Sequence, residues 1–151
     1  TVPVAEKRGL VIASCGGLPH DINLIQAHKT IEAASHACRD GGTIVVLAEC
    51  RDGLGRDDFL KWFAAGDSDA LARMLCESYQ VNGQTAWSLL KIAERFDIRI
   101  VTKLPAQKIA LTRMKHQESL AAALEGTGGI EGYIIPRGAK TRIDNSQLST
   151  E

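Results

Sequence analysis

The residues of this sequence best suited to chemistry are Gln26 and Lys29, in the stretch GGLPHDINLIQAHK (16–29). Three residues apart on a helix, they share one side of it. An amide donates and accepts hydrogen bonds, and an ammonium only donates. Together they suit a small ligand carrying hydroxyl and carboxylate oxygens. Gly16 and Gly17 precede them and would let the backbone approach such a ligand closely. The start of the following helix would offer free N–H groups to an anion. A polar pair on a helix is also what any solvated face looks like, and spacing alone favours that plainer account.

Two further segments could face the same ligand. Glu49-Cys50-Arg51-Asp52-Gly53-Leu54-Gly55 follows an apolar run, and its Glu49 and Arg51 could shape an anion pocket, receive another domain or simply be solvated. Asn82-Gly83-Gln84-Thr85-Ala86-Trp87 reads as a glycine turn before a helix, where Trp87 could wall a pocket or pack in the core. Cys50 as a nucleophile would need a base, and the sequence places no histidine beside it. Ser14, Ser35, His36 and Asp40 have hydrolase types without a G-x-S-x-G elbow. His20, His28 and His36 are spaced by eight, about 800° of helix, so each sits about 80° further round and they do not converge on a metal. Neither G-x-G-x-x-G nor a phosphate-loop motif is present. Four scattered cysteines without a C-x-x-C pair read as free thiols of a reducing cytoplasm.

The elements that must position these residues follow from periodicity. GLVIAS (9–14) and TIVVLAE (43–49) read as buried strands, IRIVT (98–102) as a third and Tyr133-Ile134-Ile135 as a fourth, stopped by Pro136. Between them, a helix opens at Pro19 and Asp21 and stops at Asp40-Gly41-Gly42. Others begin near Phe59 behind an Asp pair, run over 68–78 with Leu71, Leu75 and Met74 inward, and cover 85–96 and 119–125. Strands alternating with helices predict a three-layer, Rossmann-like α/β domain, a mainly parallel sheet of about four strands flanked by helices. Ligands of such sheets bind beyond the carboxyl ends of the strands, where Gly16, Glu49 and Asn82 all fall.

Bulk properties fit one domain over 1–151, with 139–151 a polar, flexible tail. Lys plus Arg and Asp plus Glu number 18 each, so no net charge draws the chain to nucleic acid or to an anionic membrane. No apolar run approaches the roughly 20 residues of a membrane span. The chain does not begin with Met, as expected of a processed product or an excised piece.

Three phrases in order are more specific than any one: ASCGGLPHDINLIQAHKTIEAA (13–34), GGTIVVLAECRDGLG (41–55) and NGQTAWSLLKIAERFDIRIVTKLP (82–105). They resemble the C-terminal domain of the nickel-pincer-dependent lactate racemase family, over roughly residues 9–138. The resemblance implies racemisation or epimerisation of a 2-hydroxy acid by hydride transfer to a nickel-pincer nucleotide. That cofactor, its metal ligands and the catalytic histidines would belong to an N-terminal catalytic domain, leaving this chain with no metal site, no catalytic residue of its own and no activity alone. It implies that Gln26 and Lys29 bind substrate oxygens, with Trp87 lining the pocket and Gly16, Gly17, Ile25, Glu49 and Arg51 near the cleft. Where the lactate enzymes carry Tyr before the Gln, this chain has Ile25, which argues for a hydroxy acid other than lactate. Expected partners are a small hydroxy acid and the N-terminal domain, with oligomerisation open. The rival expectations are a stand-alone nucleotide- or anion-binding α/β domain and a non-catalytic binding module.

Overall fold

Seven residues, Arg8–Ser14, alternate between two apolar environments and form β2, one strand in from an edge of the sheet. The computed structural model describes residues 1–148. β2 leads into α1 (Leu24–Ala37), which returns along one face to β3 (Cys38–Leu47). A 3-10 segment (Phe59–Ala65), α2 (Ser68–Glu77) and α3 (Val81–Arg95) precede β4 (Asp97–Val101). Then come α4 (Ala106–Ala110), β5 (Lys115–Gln117), α5 (Leu120–Ala123) and β6 (Gly132–Ile135). The five strands run parallel in the order β5-β4-β3-β2-β6. The chain therefore winds outward from β2 through β3, β4 and β5, then crosses back to place β6 on the other side of β2.

The two faces of the sheet are covered unequally. Val11, Ala13, Ile44, Val46, Ile98 and Ile100 face α1 and α3, where Leu24, Ile31, Leu89 and Leu90 complete the main core. Full burial of such a side chain contributes about 1.5–3 kcal/mol. Leu10 and Val45 face the other way, under Ala123 of the one-turn α5. The architecture is the expected α/β one, with one strand more in the main sheet than the sequence suggested. That strand is β5, three polar residues that pair with β4 in the register Arg99↔Lys115.

Several boundaries differ from expectation for identifiable reasons. The first helix starts at Leu24 rather than near Asp21, because Asn23 is the residue that caps it, its Oδ1 accepting the Gln26 N–H at 2.9 Å. It ends at Ala37, after which residues 38–47 are already strand. Asp58 does not cap the 3-10 segment; its carboxylate goes to Arg56 and Lys61. Asn82 and Gly83 lie inside α3, not in a turn before it. A Cβ on Gly83 would stand 2.6 Å from Leu75 Cδ2 and 3.2 Å from the Trp62 ring, so this glycine serves helix packing. Met74 is exposed while Leu71 is buried. In the region read as a polar tail, a 3-10 turn (Gly138–Lys140) and β7 (Ile143–Asp144) follow β6, and β7 pairs with β1 (Val2–Pro3). Residues 149–151 of that tail lie outside the described residues.

Candidate functional site

Every helix that follows a strand in a parallel sheet starts at the carboxyl end of that strand, so α1 begins where β2 ends. Between them lies Cys15 to Asn23, with Gly16 at φ +90° and Gly17 at φ +78°, a region that favours glycine. The segment after β3 holds this loop in place. Cys50 N–H donates to the Asp21 carbonyl, Asp52 N–H to that of Ile22, and the Leu24 and Ile25 N–H groups to those of Gly53 and Leu54. Asp21, nearly buried, accepts the Glu49 N–H through Oδ2 at 3.3 Å. Gly55, at φ +95°, completes the contact, since a Cβ there would lie 2.9 Å from Asn23 Cγ. Two strand-end loops are thus fastened into one rim, and the α1 N-terminus is fixed by both.

On that rim Gln26 and Lys29 are joined: Lys29 Nζ donates to Gln26 Oε1 at 3.1 Å. Because an ammonium can only donate, this bond engages one lone pair of the amide oxygen and leaves both amide N–H donors unused. The pair therefore presents mostly donors, two remaining on the ammonium and two on the amide. Such a face matches an oxyanion better than it matches a hydroxyl proton. Lys29 is exposed and lines a cavity of about 360 Å³ with Glu32, Ala33, His36 and Arg142.

The other predicted residues are placed differently. Gly16 lies on a second cavity at the rim, and Gly17 is exposed beside it. Ile25 is half-buried and packs against the main core rather than standing free beside Gln26. Glu49 pairs with Lys103 at 2.6 Å, and that bond and charge hold its carboxyl below the usual range. Arg51 is exposed and makes no ion pair among the described residues. Trp87, in the second turn of α3, packs on the core with Lys91 Nζ 4.7 Å from its ring centre. The structure brings Gln26 and Lys29 together but joins Trp87 to neither. His28, between them on α1, turns instead to Ser88 of α3 at 3.1 Å.

The nucleophile readings find no support. Cys50 is buried and its thiol is pushed up to about 11, chiefly by desolvation, so it stays protonated. All four cysteines are free. Ser35 donates to the Glu32 carbonyl and Asp40 pairs with Arg95, so the would-be triad is dispersed.

Two residues that the sequence reading passed over also reach this rim. Arg137 and Lys140 follow β6 and line the cavity of Gly16. The signal was available: β6 ends at Pro136, and whatever follows the last parallel strand emerges at the ligand edge.

A doubly wound parallel sheet with two cross-tied loops, a donor pair and a basic turn at its strand ends defines a Rossmann-like α/β domain. The chain belongs to the lactate racemase C-terminal domain family, whose model matches residues 4–137. It is 46% identical over 59 residues to the lactate racemase of Thermoanaerobacterium thermosaccharolyticum, a match covering 39% of this chain and 14% of that relative. It is 42% identical over 50 residues to the lactate racemase of Lactiplantibacillus plantarum, covering 33% of this chain and 12% of that protein. The lactate racemase apoprotein from the first organism superposes with a TM-score of 0.84 and 28% identity, over 93% of this chain and 36% of that one. A Thermotoga maritima protein shares the fold at a TM-score of 0.61 and 15% identity, over 97% of this chain and 38% of its own. The chain thus spans little more than a third of the solved relatives it matches. Among the described residues, no helix is long and apolar enough to cross a membrane.

Proposed function

We propose that this chain is the substrate-closing part of a cytoplasmic racemase or epimerase acting on a 2-hydroxy acid, in which Gln26 and Lys29 grip the substrate carboxylate. The observation that carries the reading is the Lys29–Gln26 hydrogen bond, which joins the two side chains and leaves two donors free on each. Family membership supplies the reaction class, and the relatives named lactate racemase supply the hydroxy acid.

The family's nickel-pincer nucleotide supplies hydride acceptance when bound. Among the described residues, no three His, Cys, Asp or Glu side chains come together as a metal site, so the residues here do not fit the nickel. The proposal leaves metal, organic ring and proton-transfer groups to the rest of the full-length protein. This chain's share is orientation. A carboxylate held by an ammonium and an amide presents its neighbouring carbon in one attitude, and closing the rim over it excludes water. Ile25 offers no hydroxyl to a ligand, and its packing against the core makes it part of the wall beneath Gln26. A substrate other than lactate is consistent with that wall.

The test is Lys29→Ala and Gln26→Ala in the full-length enzyme, loaded with its cofactor, on a panel of 2-hydroxy acids. Hydrogen bonds to charged groups contribute about 1.5–3 kcal/mol, so kcat/KM should fall about 10- to 100-fold for Lys29→Ala and less for Gln26→Ala. Unchanged turnover and KM in Lys29→Ala would remove the assigned role.

A further inference from the structure

In an open α/β sheet the ligand crevice forms where the winding reverses, between two strands whose connections leave in opposite directions. Here that point lies between β2 and β6, since the chain leaves β2 toward β3 and enters β6 from the far side. A cavity of about 240 Å³ opens there, lined by Cys15, Gly16, Pro19, His20, Arg137 and Lys140 among others. It is separate from the cavity that Lys29 lines.

Its chemistry is one-sided. Arg137 and Lys140 are exposed, and neither makes an ion pair or a side-chain hydrogen bond among the described residues. Most other cationic side chains near the strand ends are committed, as Lys103 is to Glu49 and Lys29 to Gln26. Among the described residues, no carboxylate lines the cavity. Asp21, close enough for its charge to act on the Cys15 thiol, is nearly buried and accepts the Glu49 N–H. On the opposite wall the backbone comes close: a Cβ on Gly16 would sit 3.5 Å from Arg137 Cγ, so the guanidinium stem lies against the glycine turn. The Gly16 N–H is occupied by Ser14 Oγ at 3.1 Å, whereas the Gly17 N–H has no acceptor among the described residues.

The turn that carries the cations is rigidly seated. Gly138 lies directly on the fully buried Thr30 of α1, where a Cβ would come 2.4 Å from Thr30 Cγ2. Arg137 and Lys140 thus flank a residue clamped to the same helix that carries Gln26 and Lys29.

We infer that the crevice between β2 and β6 is a binding site for an oxyanion group, carboxylate or phosphate, of a small molecule, held by Arg137 and Lys140 against the glycine turn. A guanidinium takes two anion oxygens at once, and an ammonium adds a point charge. The site does not rest on the Gln26–Lys29 grip, whose residues it does not use.

The experiment follows amide signals of full-length protein labelled with ¹⁵N-glycine during titration with inorganic phosphate and, separately, with succinate, a dicarboxylate without a 2-hydroxyl. Gly16 and Gly17 signals should move saturably with at least one of the two. Response to phosphate alone identifies a phosphoryl group, response to succinate alone a carboxylate, and response to both a general oxyanion site. The Arg137→Ala/Lys140→Ala double variant should weaken the dissociation constant at least tenfold, Arg137→Lys should retain part of the binding, and Lys29→Ala should leave it unchanged. Both substituted side chains are exposed, so the fold is not at stake. No movement with either anion, movement that survives in the double variant, or loss of it in Lys29→Ala would each overturn the site. The last result would move the anion to α1 without touching the reading of Gln26.

Discussion

Arg99 lies within one strand of the sheet and Arg137 just beyond another, and they have opposite lives. Arg99, in β4, is largely enclosed: its Nη1 donates to the carbonyls of Ala123 and Glu125 at 2.8 and 2.7 Å, and its Nε and Nη2 reach Asp97 Oδ2. Lys115 closes the group from β5 at 2.8 Å from the other Asp97 oxygen. Those bonds hold the one-turn α5 over the thinly covered face of the sheet. Arg137, just past β6, has a cavity in front of it and no partner among the described residues. A cation that spends its donors on carbonyls and a carboxylate is a structural tie. One that keeps them beside a free amide is equipped for something that arrives.

Removing each arginine should separate the two roles. Arg99→Met keeps the stem and deletes four bonds, and the lost charged hydrogen bonds should cost about 3 kcal/mol. Arg137→Ala should change stability by no more than about 0.5 kcal/mol, as for an exposed side chain that touches little. Urea denaturation of both variants reads the difference. Equal losses would erase the distinction and make Arg137 another tie.

Gly138→Ala probes the clamp between these extremes. Thr30 is β-branched and fully buried, so it has little freedom to yield to a methyl group arriving at 2.4 Å. Overpacking of this kind typically costs about 1–3 kcal/mol, and about 2 is expected here. A thermal melt, run without and then with phosphate, sharpens the comparison: a displaced turn should lose any anion-dependent stabilisation along with stability. A melting temperature equal to wild type would show that the turn is not seated on α1.

What the sequence disclosed depended on how each signal was encoded. The apolar runs of β2, β3 and β4 announce buried parallel strands, because both their faces are covered. β5 was invisible because Lys115, His116 and Gln117 carry no apolar pattern; pairing with β4 and the Lys115–Asp97 bond make it a strand. Gly83 misled because a glycine after Asn signals a turn locally, while its actual reason is tertiary, the close approach of Leu75 and Trp62. At the rim, helix spacing alone could put Gln26 and Lys29 side by side. It could not show that Glu49 is spent on Lys103, that Ile25 leans into the core or that Trp87 faces Lys91. Nor could it bring Arg137, 121 residues on from Gly16, to the same crevice, since that neighbourhood exists only through the crossover to β6.

The smallest expected effects are in the pH dependence, and they fall on opposite sides of the same comparison. Burial works to raise the Asp97 carboxyl, but the hydrogen bonds and charges of Lys115 and Arg99 outweigh it and hold the group below its ordinary value of 3.8. The unfolded chain then binds the proton more readily than the folded one. The stabilisation is fully present above pH 3.8 and is lost as pH falls through the depressed value. His28, at the seam of α1 and α3, is lowered below its ordinary 6.5, chiefly by burial, with Glu32 opposing and Lys29 assisting. Its neutral form is the one the fold prefers. Stability should therefore begin to fall as pH drops below 6.5 and level off beneath the folded value. Urea midpoints between pH 3 and 8 should show this decline and the acidic one. Asp97→Asn should flatten the acidic one and His28→Gln, which can still bond Ser88, the one nearer neutrality. A decline below pH 6.5 that persists unchanged in His28→Gln would locate that proton elsewhere and free the α1–α3 seam, and with it the mounting of Lys29, from any dependence on this imidazole.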